Sequence, residues 1–242
     1  MVKRFRMIAG PNGSGKSTLR AWLSRDYAVN FYTFLNADDI LAEVSRSGCY
    51  FTPFPVDADE LVSYASRSSY PEAIIRLFTL RRIVVVEECI RFASEAVNSY
   101  SMALVTSFLQ AAHLVRGLSF SQETVFSHPS KVEALKVAHE AGYRTYLYFV
   151  ATNNAVINVN RVQNRVAQGG HDVSTAKIVE RYARSIGLVR SALPYLSRAF
   201  FFDNSGVTMR YLAHWDKEDD MVLNVSDSAI PKWFNACLPI KS

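Results

Sequence analysis

Cysteine is scarce, with three in 242 residues. Cys49, Cys89 and Cys237 stand far apart and form no C-x-x-C pair. That spacing argues against a disulfide framework or a thiolate metal site, and it fits a reducing compartment, so a cytoplasmic location is expected. Long hydrophobic runs are missing as well. No stretch is long enough to span a bilayer, so no membrane partner is expected. The basic start, Lys3, Arg4 and Arg6, leads into an apolar stretch too short for a signal peptide. There is no low-complexity tract and no internal repeat. Lysine is the minor cation: 8 of the 27 basic residues are Lys and 19 are Arg. No basic run is interleaved with aromatics, so nucleic acid is not expected as a partner. A net charge of +5 carried mainly by arginine suits a small anionic substrate instead, because the planar guanidinium pairs with phosphate or carboxylate through two hydrogen bonds.

What the chain does have is apolar bulk and one dense motif. Hydrophobic residues make up 49%, enough to bury the core of one large α/β domain or of one domain with an insertion. Residues 5–9 form a short apolar strand pattern. Gly10-Pro11-Asn12-Gly13-Ser14-Gly15-Lys16-Ser17 follows, and Thr18-Leu19 opens a helical pattern. Every fixed position of Gly-x-x-x-x-Gly-Lys-Ser/Thr is filled. From background composition, the four fixed positions would coincide in on the order of one chain in a hundred of this length. The glycines permit backbone angles that turn successive N–H groups into one anion-binding concavity at a helix N-terminus. Lys16 is placed to reach the β and γ phosphates, and Ser17 to offer a hydroxyl to Mg²⁺. A nucleoside triphosphate is the implied ligand.

After a first helix over 16–25, residues 31–35 read as a second strand ending in Asn36-Ala37-Asp38-Asp39-Ile40. Acids just past a strand's carboxyl end sit where open α/β sheets bind ligands. Asp38 or Asp39 is therefore a candidate acceptor of a substrate proton, and equally a candidate helix N-cap. Residues 51–55 are turn-like, and 57–66 and 71–80 read as short helices. The run Arg82-Ile83-Val84-Val85-Val86-Glu87-Glu88 admits two readings. It is a hairpin or edge strand inside an insertion, or it is a Walker B strand whose Glu87 or Glu88 polarises water. The first is preferred, because a better partner strand follows at 118–124, after a long helix over 94–115. Glu123 and Thr124 end that strand. A helix over 130–141, a nearly continuous apolar strand over 145–150 and a fifth strand with its turn over 199–206 complete the alternation. The expected class is α/β: a doubly wound, mainly parallel five-stranded sheet of P-loop NTPase type, flanked by helices. One domain spans 1–242, with an inserted segment at 48–92 and a C-terminal hairpin and helix at 207–242.

Helices over 154–167 and from Ser174 to about residue 196 are separated by Gln168-Gly169-Gly170-His171. Arg161 and Arg165 share one helix face, and Arg181 and Arg184 share another. Two helices hinged at Gly-Gly and carrying arginines resemble a phosphotransferase lid, which would exclude water and bring guanidinium groups onto a moving phosphoryl. His171 reads as structural or ligand-adjacent.

Taken together, the loop 10–18, the run 36–40, Glu123-Thr124 and the run 161–173 with Arg181-Tyr182 resemble the zeta toxin family of P-loop kinases. Members of that family phosphorylate a sugar hydroxyl of UDP-N-acetylglucosamine and related UDP-sugars. The resemblance implies use of ATP and Mg²⁺, with Gly10, Pro11, Asn12, Gly13, Ser14, Gly15, Lys16, Ser17 and Thr18 holding the nucleotide and Ser17 at the metal. Asp38 would be the base, with Glu123 and Thr124 near the acceptor. Arg165 and Arg181 would clamp phosphates, with Arg161 and Arg184 as alternates. The resemblance also brings an antitoxin protein into view as a partner, although no segment of this sequence reads as one. Two further readings stand beside it. One is an ATPase or nucleotide-driven switch using Glu87 or Glu88; the other is a noncatalytic nucleotide-binding partner protein.

Overall fold

The computed structural model describes residues 2–169, 172–217, 220–226 and 229–238. The chain divides into two compact units, residues 1–32 with 119–242, and residues 33–118. Each is described by itself.

The first unit opens with strand β1 (Arg4–Ala9), the glycine-rich loop and helix α1 (Lys16–Asp26). After residue 118 it continues through β6 (Phe120–Thr124), α6 (Ser130–Glu140), β7 (Arg144–Ala151), α7 (Ala155–Ala167) and α8 (Thr175–Ala192). It ends with β8 (Arg198–Asp203), β9 (Arg210–Asp216), β10 (Asp220–Leu223) and α9 (Lys232–Cys237). β6, β1, β7 and β8 lie side by side and parallel, and β9 and then β10 extend antiparallel from β8. The expected terminal hairpin is therefore part of the sheet, because β9 takes up the free edge of β8. β7 is buried along most of its length, as its unbroken apolar sequence requires of a strand covered on both faces. Phe5, Met7, Phe120, Leu147, Phe149 and Phe201 form the centre of this core. Phe5 stacks on Phe120 with centroids 4.4 Å apart.

The second unit comprises β2 (Thr33–Leu35), α2 (Ala37–Ser47), β3 (Cys49–Phe51), α3 (Ala58–Ser66), α4 (Glu72–Thr79), β4 (Ile83–Val86), β5 (Cys89–Phe92) and α5 (Ser99–Arg116). β3, β5 and β4 make a separate antiparallel sheet. α5 contributes Met102, Leu104, Val105, Phe108 and Leu109 to this unit's core. It begins five residues later than its apolar spacing suggests. Asn98 caps it by accepting from the N–H groups of Tyr100 and Ser101, and residues 94–96 form a separate 3-10 turn. Asparagine caps recur: Asn36 opens α2 and Asn154 opens α7 in the same way. Pro71 takes the cap position of α4 rather than its first turn, and Ser174 precedes α8 without a side-chain cap bond.

Candidate nucleotide-binding site

The loop between β1 and α1 is held against the carboxyl ends of its neighbours. Gly10 continues past β1 beside Val150, and a Cβ there would lie 2.0 Å from the Val150 carbonyl oxygen. Gly13 and Gly15 both have left-handed backbone, with φ of 73° and 97°. Left-handed angles at alternate residues are the geometry of an anion nest. Lys16, at the start of α1, folds over the loop and donates from Nζ to the carbonyls of Gly10 at 3.0 Å and Pro11 at 3.1 Å. Ser17 donates from Oγ to Glu123 Oε2 at 3.4 Å, which brings the hydroxyl at the helix start and the carboxylate at the end of β6 together.

Two side chains reach the loop from elsewhere in this unit. Asn158 of α7 donates from Nδ2 to the carbonyl of Asn12 at 2.5 Å, and Asn204, just past β8, donates from Nδ2 to the carbonyl of Ser14 at 2.9 Å. Asp203, only 2% exposed, accepts from Ser205 Oγ at 2.6 Å, from Arg210 Nη2 at 2.9 Å and from the Trp233 indole at 3.1 Å, and so fixes the end of β8. Tyr182 of α8 donates its hydroxyl to the Thr152 carbonyl at 2.6 Å. Burial, reinforced by the charge of Asp203, pushes that hydroxyl up to about 12, so it remains a donor at any physiological pH. Neither asparagine was legible as a site residue in the sequence. Asp203 and Asn204 follow the same strand-end rule that singles out Asp38 and Glu123, and that rule was the available signal.

The four arginines differ in environment. Arg161 is partly buried and donates from Nη2 to the Gly206 carbonyl at 3.4 Å, while its Nη1 is buried without a hydrogen-bond partner. Arg165 lies exposed on the last turn of α7, and Arg181 is partly buried on α8. Arg184 pairs with Glu180 at 2.7 Å on the exposed face of α8. Gly170 and His171, the proposed hinge and its histidine, lie outside the described residues. Thr124 Oγ1 accepts from the Phe126 N–H at 3.2 Å and shapes the turn after β6, which leaves its own O–H to donate elsewhere. In the second unit the cap of α2 is Asn36, whose side chain accepts from the Asp38 N–H, so neither Asp38 nor Asp39 is the cap. Both carboxylates are on exposed residues in the first turn of that helix.

Glu87 and Glu88 form the two-residue tip of the β4–β5 hairpin, with Glu87 at φ 56°. β4 belongs to the antiparallel sheet of the second unit and not to the sheet that carries the loop. A Walker B acid needs a parallel strand of the loop's own sheet, so the ATPase reading loses its structural basis.

No protein-family model matches the chain. A stretch of 65 residues, 27% of the chain, is 31% identical to an uncharacterized protein of Haemophilus influenzae and spans 46% of that protein. Among solved structures, a chain of the AvrRxo1-ORF1:AvrRxo1-ORF2 complex with ATP is 13% identical, with 92% of this chain and 61% of that chain covered and a TM-score of 0.53. The same complex with sulphate ions gives 12% identity and the same TM-score. A chain of the PezAT chromosomal toxin-antitoxin system of Streptococcus pneumoniae is 11% identical over 86% of this chain and 72% of its own, with a TM-score of 0.49. The chain shares its mixed α/β fold with the AvrRxo1 chain. The phosphate loop, the parallel strands around it and the flanking helices are the parts the sequence led one to expect. This chain spans less than two thirds of the AvrRxo1 chain and under half of the Haemophilus protein.

Proposed function

We propose that this protein is an ATP-dependent phosphotransferase that moves the γ-phosphoryl group to a hydroxyl of a small anionic acceptor. The observation that carries the reading is the phosphate loop itself. Its alternate left-handed glycines, the start of α1 and the ammonium of Lys16 make a cradle for phosphates. The residues fit a triphosphate in a second respect. Ser14 Oγ and Arg161 Nη1 are buried donors without a partner, which phosphate oxygens would satisfy. Magnesium would be held through Ser17 Oγ with Glu123 beside it, and it would neutralise charge on the phosphates.

In this reading Gly10 to Thr18 hold the nucleotide, and Lys16 stabilises charge on the transferring group. Asp38 accepts the acceptor's proton. Arg165, Arg181 and Arg161 supply guanidinium groups to the phosphates. The AvrRxo1 complex, whose structure contains ATP, supports the choice of nucleotide through the shared fold. The AvrRxo1-ORF1 structure is a complex with a second protein, AvrRxo1-ORF2, which supports a protein partner here as well, and the sequence resemblance to zeta toxins makes an antitoxin the partner to look for. A UDP-sugar such as UDP-N-acetylglucosamine is the first acceptor to test, on the strength of the sequence resemblance to zeta toxins.

The experiment is phosphoryl transfer from labelled ATP to a panel of sugar nucleotides. Wild-type protein should label at least one acceptor. Asp38→Asn should lose transfer by a factor on the order of 10³ while binding ATP with unchanged affinity. Equal transfer by wild type and variant would remove Asp38 from the mechanism, and failure of ATP to bind at all would remove the kinase reading.

A further inference from the structure

The two asparagine contacts on the phosphate loop do more than pack it. We propose that Asn158 and Asn204 are positioning residues that preset the loop for anion binding, each by pinning one loop carbonyl so that the next N–H is turned into the nest. The inference rests on the reading that this loop takes a triphosphate.

The geometry begins with the peptide unit. A trans peptide is planar, and its C=O and N–H point to opposite sides. Asn158 holds the Asn12 carbonyl toward α7, so the N–H of Gly13 is directed away from α7. Asn204 holds the Ser14 carbonyl toward the end of β8, so the N–H of Gly15 is directed away from β8. The two peptides that are pinned are those preceding the left-handed glycines, the positions that define the nest. Without the pins these planes are free to turn, because glycine resists neither sign of φ. A turned plane would aim a carbonyl oxygen, not an N–H, at a phosphate.

The pins also account for the glycines sterically. A Cβ on Gly13 would lie 2.6 Å from the Asn158 backbone oxygen, and a Cβ on Gly15 would lie 2.3 Å from Asn204 Nδ2. The clamping residues occupy the space a side chain would need. Each clamp is itself fixed. Asn158 is fully buried, and its Oδ1 accepts from the Thr152 hydroxyl, so both ends of its amide meet complementary partners and its orientation is determined. The Thr152 carbonyl is in turn held by Tyr182 from α8. Asn204 donates its own backbone N–H to the Ala151 carbonyl at 2.8 Å and follows directly on the buried Asp203 hub. Donors anchored this way hold the loop ready before the ligand arrives, and preorganisation of that kind raises affinity without adding a ligand contact.

The test is a ¹⁵N NMR titration of the full chain with ATP and magnesium, alongside calorimetric affinities, for wild type, Asn158→Ala and Asn204→Ala. In wild type the amide signals of both Gly13 and Gly15 should move on titration. Asn158→Ala should blunt the response of Gly13 and spare Gly15; Asn204→Ala should do the reverse. Each should weaken ATP about tenfold, the scale of losing one ordered hydrogen bond. A generally loosened loop would instead blunt both signals alike in both variants, and that result would overturn the proposal. So would wild-type responses at both glycines with affinities within twofold. If Asn158→Ala does not fold, Asn204→Ala, at a partly exposed position, decides on its own. Absence of any response in wild type would defeat the triphosphate reading itself, a result distinct from wild-type binding with unaffected variants.

Discussion

Substituting Gly10 by alanine probes the seating of the phosphate loop most directly. Gly10 has a φ of 150°, a region that L side chains rarely adopt, and its Cβ would lie 2.0 Å from the Val150 carbonyl oxygen and 2.9 Å from Ser14 Oγ. The conformational cost is about 1–2 kcal/mol. The Ser14 hydroxyl can rotate aside. The Val150 oxygen cannot, because it belongs to β7, which is hydrogen-bonded on both sides by β1 and β8. The loop must lift off the strand, which adds about 1–3 kcal/mol of overpacking strain. The sum is roughly 2–5 kcal/mol, against a typical total stability of about 5–15 kcal/mol. For a chain of this size each kcal/mol lowers the midpoint of thermal unfolding by about 2–4 °C, so a fall of roughly 4–20 °C is expected. ATP affinity should drop at least tenfold with it. Gly187→Ala is the control. That glycine lies inside α8, with nothing within 4 Å of the new Cβ, and alanine there should stabilise the protein by about 0.5–1 kcal/mol. Circular dichroism melts and calorimetric titration with ATP measure both effects. If Gly10→Ala melted within about 2 °C of wild type and bound ATP equally well, the loop would not sit on β7 as described, and the reasoning would fail.

Two further outcomes follow from the same frame. Asp203→Ala should cost about 2–4 kcal/mol in urea unfolding, chiefly because the buried Trp233 indole N–H loses its acceptor, while the half-exposed Arg210 can turn to water; a loss under 1 kcal/mol would show that the hub is incidental. Burial holds the Cys237 thiol well above its ordinary range, whereas Cys49 is partly exposed, so a thiol reagent near pH 8 should label Cys49 first and Cys237 only on unfolding, and mass spectrometry of the labelled peptides reads the order. The sign of the linkage agrees: the Cys237 contribution is complete below the thiol range of the unfolded chain and falls away as pH rises above it, since only the unfolded chain can then release the proton.

The order of strands and helices could be read from the sequence because it is written in local patterns. The continuous apolar run of β7, the glycine stop at Gly117 and the Walker-type loop each depend on neighbours within a few residues. Where local signals competed, boundaries moved. α5 starts at Ser99 because Asn98 caps it, although the apolar spacing runs on from 94. The short strands β3 and β5 escaped notice because three or four residues of mixed character have no distinguishable period, and their pairing is decided across the chain. The same holds for the ambiguous run ending at Glu87 and Glu88, whose character as a hairpin depends on which strand it meets.

What the sequence determined by itself is the phosphate loop, the alternation of strands and helices around it and the supply of candidate acids and arginines. Each of these is a statement about adjacent residues, and backbone propensity and side-chain period are properties of adjacent residues. What only the tertiary structure decided is which distant groups hold that loop open: Asn158, 146 positions from Asn12, and Asn204, 190 positions from Ser14. A hydrogen bond closed over that separation leaves no periodic trace in the chain, because its partners are chosen by the packing of whole elements and not by their spacing along the backbone.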